Sequence, residues 1–276
     1  MKRINIKVWL VILFISPLTV SAQISARGGN GQRASYSQRY FSPFKPKPSK
    51  EQKQKLQPNS SDLTKYAEFL RQPKTGLIRL YPDLECESAY ILRADQDCAE
   101  NIPGSSYYSF REKEYTSDFL SDIRLKNRQF ITDGVLTQSF LVNLGNISLE
   151  NLSLNSDGMK FLNDFIAEPE NREAMKQYNQ LANGIKQGKY EYRKVAVAVE
   201  NTTYAMRIVA YKANVFSIYR GWRYNVLEGD NRVDLTIGFK VVRRDQDGSI
   251  SILWKELDRK KSVKLKLAKP DEKKKQ

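Results

Sequence analysis

The sequence predicts an α+β fold that is mainly antiparallel β-sheet, an N-terminal meander plus C-terminal hairpins, with two or three short helices. Three observations carry that expectation. Short runs alternate apolar and polar residues, most clearly across 190–199, 204–212, 232–244 and 249–257. Turn signals such as Asp133-Gly134 and Asp245-Gln246-Asp247-Gly248 separate these runs in the manner of hairpins. Helical spacing of apolar residues is confined to a few brief stretches. No repeat recurs at a fixed period, which sets solenoids and propellers aside.

The elements follow in order. Ser61 or Asp62 can cap a helix running to Arg71, with Leu63, Tyr66, Ala67 and Leu70 on one face, and Pro73 and Gly76 end it. A strand is expected over 76–81, and then a loop containing both cysteines. The meander comprises 107–115, 122–125, 128–132 and 136–144, broken at Lys126-Asn127 and Asp133-Gly134. Helices are expected over 157–166 and from Pro169 to Asn183-Gly184, since proline is tolerated in a first turn. In the second helix Ala174, Met175, Tyr178, Leu181, Ala182 and Ile185 form the stripe expected to face the sheet. The C-terminal runs predict at least four antiparallel strands.

Residues 1–22 read as a signal peptide. Lys2, Arg3 and Lys7 precede an apolar stretch from Val8 to Val20, and Val20-Ser21-Ala22 supplies the small residues of a cleavage site. The stretch falls short of the roughly 20 apolar residues of a spanning helix, so no stable membrane span is expected after cleavage. The expected location is secreted, periplasmic or in the cell envelope. There the only two cysteines, Cys86 and Cys98, are expected to form a disulfide. Residues 23–60 read as a disordered basic arm rich in Pro and Gly, 61–257 as a single α+β domain, and 258–276 as a Lys-rich tail.

The 276 residues include no histidine. That excludes Ser-His and Cys-His nucleophile arrangements and every His-ligated metal. Catalysis, if any, falls to carboxylates, Lys, Tyr or Ser, and a carboxylate pair of the glycosidase kind is the natural form for an exported enzyme. The net charge is +15, but it is uneven. Residues 23–57 hold eight basic residues against one acidic, and residues 255–276 hold ten against four, while 58–254 are almost neutral with 25 basic and 26 acidic. This argues against a folded nucleic-acid-binding surface and suits basic arms drawn to an anionic surface or polymer.

Two constellations stand out. Asp83, Glu85, Glu87, Asp95 and Asp97, with Glu100, surround the cysteines, and such hard oxygen ligands can hold Ca²⁺. An ordinary solvated acidic loop is the better reading of them, and no cofactor is expected. A second partial calcium pattern, Asp245 to Glu256, places Ile250 where the sharp turn needs Gly, so a hairpin turn is the better reading. The other constellation is Tyr219-Arg220-Gly221-Trp222-Arg223-Tyr224, in which aromatic and guanidinium groups alternate about a glycine. Aromatic faces can stack on sugars while Arg binds carboxylate or phosphate, whereas on a half-buried strand Trp222 and Tyr224 would share one face structurally. The combined reading is a non-catalytic exported binding module. A carboxylate-dependent hydrolase of glycans or wall polymer, and an assembly subunit with a protein partner, are the alternatives.

Overall fold

The computed structural model of the protein describes residues 48–86, 98, 101–219 and 221–266. Residues 1–22, read as a signal peptide, and residues 23–47 lie outside the described residues. Three layers stack: a small sheet, a large sheet and a layer of helices and loops.

The large sheet has seven antiparallel strands in the order β1-β14-β13-β10-β6-β8-β7. They are β1 Thr75–Leu80, β6 Thr137–Gly145, β7 Ile185–Gln187, β8 Tyr190–Arg193, β10 Thr203–Ala210, β13 Val233–Arg244 and β14 Ile250–Lys261. The small sheet runs β3-β2-β4-β5-β9, from β2 Tyr107–Ser109, β3 Glu114–Tyr115, β4 Ile123–Lys126, β5 Gln129–Ile131 and β9 Val195–Val197. The helices described are α1 Lys50–Lys55, α2 Ser60–Lys65, α3 Ala67–Leu70, α4 Lys160–Asp164 and α5 Asn171–Asn183. The mainly antiparallel α+β fold is therefore the one the alternation predicts.

The period of two decides which residues meet in each layer. Tyr204, Met206 and Ile208 of β10 and Leu235, Ile237, Phe239 and Val241 of β13 project to one face, where they pack on Tyr108, Ile123, Leu125 and Phe130 of the small sheet. Tyr204 stacks on Phe239 at 5.1 Å between centroids, and its hydroxyl donates to the Val197 carbonyl at 2.7 Å, tying the two sheets together. The opposite face carries Phe140, Val142, Ala205 and Leu253, covered by Phe69, Leu149, Leu152, Met159, Leu162 and Leu181. Gly238 lies there because a Cβ would sit 2.3 Å from Leu152 Cδ2, and the loop over the sheet needs that close approach.

Several boundaries differ from the sequence reading. α1 lies inside the stretch read as a disordered arm: Ser49 and Gln52 form its capping box, Leu56 is buried, and Tyr115 Oη donates to the Leu56 carbonyl. At the other end β14 runs to Lys261, Leu265 is buried, and Lys266 N–H donates to the Pro169 carbonyl at 2.8 Å, so part of the Lys-rich tail packs on the domain. The helix expected over 61–71 is two helices meeting at Tyr66. Asn59 caps the first of them, because Asp62 is taken up by Arg243, whose Nε and Nη2 donate to its carboxylate at 2.6 and 2.8 Å. Residues 190–197 change sheets at Lys194, whose carbonyl accepts from Thr132 N–H at 3.0 Å. Of the stripe on α5, Ala174 and Leu181 are buried, while Met175 is 55% exposed and Ala182 faces solvent.

Candidate functional site

Between β10 and β13, adjacent in the large sheet, the chain leaves to form a separate two-stranded ribbon, β11 Phe216–Tyr219 and β12 Trp222–Asn225. Asn225 closes its base: the side-chain Oδ1 accepts from Val215 N–H at 3.0 Å and Leu227 N–H at 3.2 Å. Gly221 makes the turn with φ +83°, a left-handed conformation in which a side chain would be strained.

Register assigns the faces. Phe216 opposes Asn225 and Ile218 opposes Arg223, so these four share one face; Ser217 opposes Tyr224 and Tyr219 opposes Trp222 on the other. Of the residues singled out from sequence, Trp222, Arg223 and Tyr224 lie on this ribbon, the backbone of Tyr219 pairs with that of Trp222, and Arg220 lies outside the described residues. The sharing of a face by Trp222 and Tyr224 is as alternation requires, and the strand is partly buried only toward its root, at Tyr224 and Asn225. Trp222 is 79% exposed, and Phe216 and Ile218 are 52% and 54% exposed. The Arg223 guanidinium rests 4.0 Å from the Phe216 ring centroid, which holds both side chains flat along the ribbon.

At the root of the ribbon lies an open cleft of about 610 Å³ lined by Lys212, Asn214, Asn225, Arg232, Arg259 and Lys261 among others. Its base is a charge-balanced network. Arg111 Nε donates to Asp122 at 2.6 Å and its Nη1 to Asp230 at 2.7 Å, while Arg232 Nη1 donates to Asp230 at 2.8 Å and its Nε to the Tyr211 carbonyl at 2.9 Å. Burial opposes the charge on Arg111, but Asp122 and Asp230 outweigh it and raise its pKa; burial dominates at Arg232 and lowers it, against Asp230. On the rim Arg259 is paired with Glu256 and Lys260 with Asp258. Lys212 and Lys261 are exposed and have no acidic partner among the described residues. Among the described residues the cleft thus presents unpaired positive charge beside the ribbon.

The acidic loop gathers differently. The disulfide joins Cys86 and Cys98, with 5.4 Å between Cα atoms. Asp83 accepts from Tyr107 Oη at 2.9 Å and from Glu85 N–H at 2.9 Å, and Glu85 pairs with Lys126. These two carboxylates are engaged within the protein, and Glu87, Asp95 and Asp97 lie outside the described residues. Among the described residues no group of three or more His, Cys, Asp or Glu side chains is placed to hold a metal. Asp245 and Asp247 form a hairpin turn, with Gly248 N–H donating to the Asp245 carbonyl and Arg79 paired to both carboxylates at 3.0 and 3.1 Å.

Lys212, Arg232 and Lys261 went unmarked in the sequence because they stand at the ends of three separate strands or in the loops beside them. Only their antiparallel neighbourhood brings them together. Comparison with protein-family models, curated proteins and solved structures gives no match.

Proposed function

We propose that this protein is an exported, non-catalytic binding module that grips an acidic polysaccharide of the cell envelope or extracellular space. The observation that carries the reading is the 79% exposed Trp222 on a separate ribbon whose root is a basic cleft, where Lys212 and Lys261 have no acidic partner among the described residues. An exposed indole face stacks on sugar rings, and the lysines and Arg223 attract carboxylate or sulfate groups. The basic flanks add a longer-range attraction, screened by salt. Export is supported by the signal-like first 22 residues and by the disulfide.

Hydrolysis by a carboxylate pair finds no support in these surfaces. Asp230 is the single acidic residue lining the basic cleft, and it is bonded to two arginines. The exposed Phe216 and Ile218 favour a second reading, docking of a protein partner onto that face of the ribbon.

The test is retention on immobilised polygalacturonate and on an uncharged glucan, at low and high salt, for the full chain and for a chain trimmed to residues 48–266. Trimming at 58 or 254 instead would remove α1 or cut β14. Retention of the trimmed chain on polygalacturonate, reduced by Trp222→Ala, supports the reading. Loss of all retention on trimming moves attachment to the flanks, and no retention by either chain moves the search to protein partners.

A further inference from the structure

A second cleft, of about 300 Å³, opens between α5 and the start of β6, and Leu136, Ala174, Met175, Tyr178, Tyr211 and Leu265 supply its apolar and aromatic walls. Met175 is 55% exposed although it lines the cleft, so apolar surface stands open there. The C-terminal segment forms part of the wall through Leu265. Val263 and Leu265 pack in one cluster with Ala174, Val209 and Tyr211, while Lys264 and Lys266 are exposed. Alternate residues therefore turn inward, as in an extended chain.

The last backbone contacts fix the heading of the chain. Lys266 bridges Glu170 in parallel: its N–H donates to the Pro169 carbonyl at 2.8 Å, and its own carbonyl accepts from Asn171 N–H at 3.2 Å. At Lys266 the chain thus runs the same way as residues 169–171, which lead into α5, and α5 carries Ala174, Met175 and Tyr178 along the cleft. From Ala174 to Tyr178 the helix rises about 6 Å, and two extended residues at about 3.3 Å each cover that length. The next two residues in sequence are Leu267 and Ala268. After them come only Lys269, Pro270 and six charged or amide residues, so the apolar part of the tail is confined to the two positions that reach the cleft.

We propose that the cleft is the seat of this chain's own Leu267 and Ala268, with Leu267 continuing the inward set of Val263 and Leu265 onto Met175 and Tyr178. A segment already held at Lys266 enters without the loss of translational freedom that a separate partner must bear, and it is present at high effective concentration. Seated there, it fastens the C-terminus to α5 and sets the point from which the lysine-rich residues 269–276 depart. This contact does not depend on the polysaccharide reading, since it involves neither the ribbon nor the basic cleft.

The test is methyl nuclear Overhauser spectroscopy on the full chain at two protein concentrations, with amide exchange on the full chain, on Leu267→Asp and on a chain ending at Lys266. Contacts from the Leu267 methyls to the Met175 methyl and the Tyr178 ring are expected, independent of concentration. Amide exchange over residues 174–178 should be about tenfold faster or more in both variants, with residues 204–210 of β10 protected as in the parent. Absence of those contacts, or exchange over 174–178 unchanged in both variants, would overturn the proposal. Contacts seen only between differently labelled copies would overturn it as well and give the cleft to the tail of a second copy.

Discussion

Removing the Arg111 side chain strands two carboxylates in the interior. Arg111 is fully buried on its side chain, as is Asp122, and Asp230 is nearly so. Arg111→Met is expected to destabilise the fold by about 3–5 kcal/mol in urea unfolding, the range for breaking a buried ion pair. Glu256 sets a pH dependence. Burial raises its carboxyl pKa, but Arg259 and Lys74 outweigh that and hold it below its ordinary 4.5. A lowered folded pKa means stability that is present above the unfolded value and is lost as pH falls through the folded one. Glu256→Gln should therefore flatten the loss of stability below about pH 4.5, and an unchanged acid limb would contradict that role. Little of this was legible in the chain. Arg111 finds Asp230 at a separation of 119 residues, and the flanking Phe110 and Glu112 give no hint of burial. Asp62 likewise reads as a helix cap, and only its distant partner Arg243 shows that it is an ion pair.

At the level of the element, the ribbon β11–β12 contributes surface and little core. Trp222→Ala should leave stability within about 0.5 kcal/mol of the parent, as for exposed positions generally, while removing the face on which a sugar ring would stack. A thermal melt and a retention assay on the same sample separate the two effects; a large drop in melting temperature would show Trp222 to be structural. Alternation made the long strands β10, β13 and β14 readable, because their inward positions are apolar almost without a break. It could not show that residues 190–197 change sheets at Lys194, since the side-chain pattern continues across the switch while the hydrogen-bond partners change. The stripe on α5 is narrower than its spacing suggests: Met175 has the right spacing for the core yet is 55% exposed, because only Ala174 and Leu181 of that stripe are buried.

Across the molecule, a nearly neutral two-sheet domain carries basic segments at both ends and a basic cleft at the ribbon root. The disulfide closes the loop before β2, and replacing Cys86 and Cys98 together by Ser should lower stability by about 3 kcal/mol on chain-entropy grounds, read by denaturant midpoints under oxidising conditions. Fold class and charge distribution were legible because they are sums over many residues. The cleft was not, because Lys212, Arg232 and Lys261 meet only when β10, β13 and β14 lie side by side. The most direct test of polymer binding is the affinity of the full chain for polygalacturonate across a salt series, compared with a chain carrying Trp222→Ala, Lys212→Glu and Lys261→Glu. Binding weakened about tenfold or more, with a shallower salt dependence, is the predicted result. Undiminished affinity with the same salt dependence would contradict it and remove the ribbon and its cleft from the binding surface.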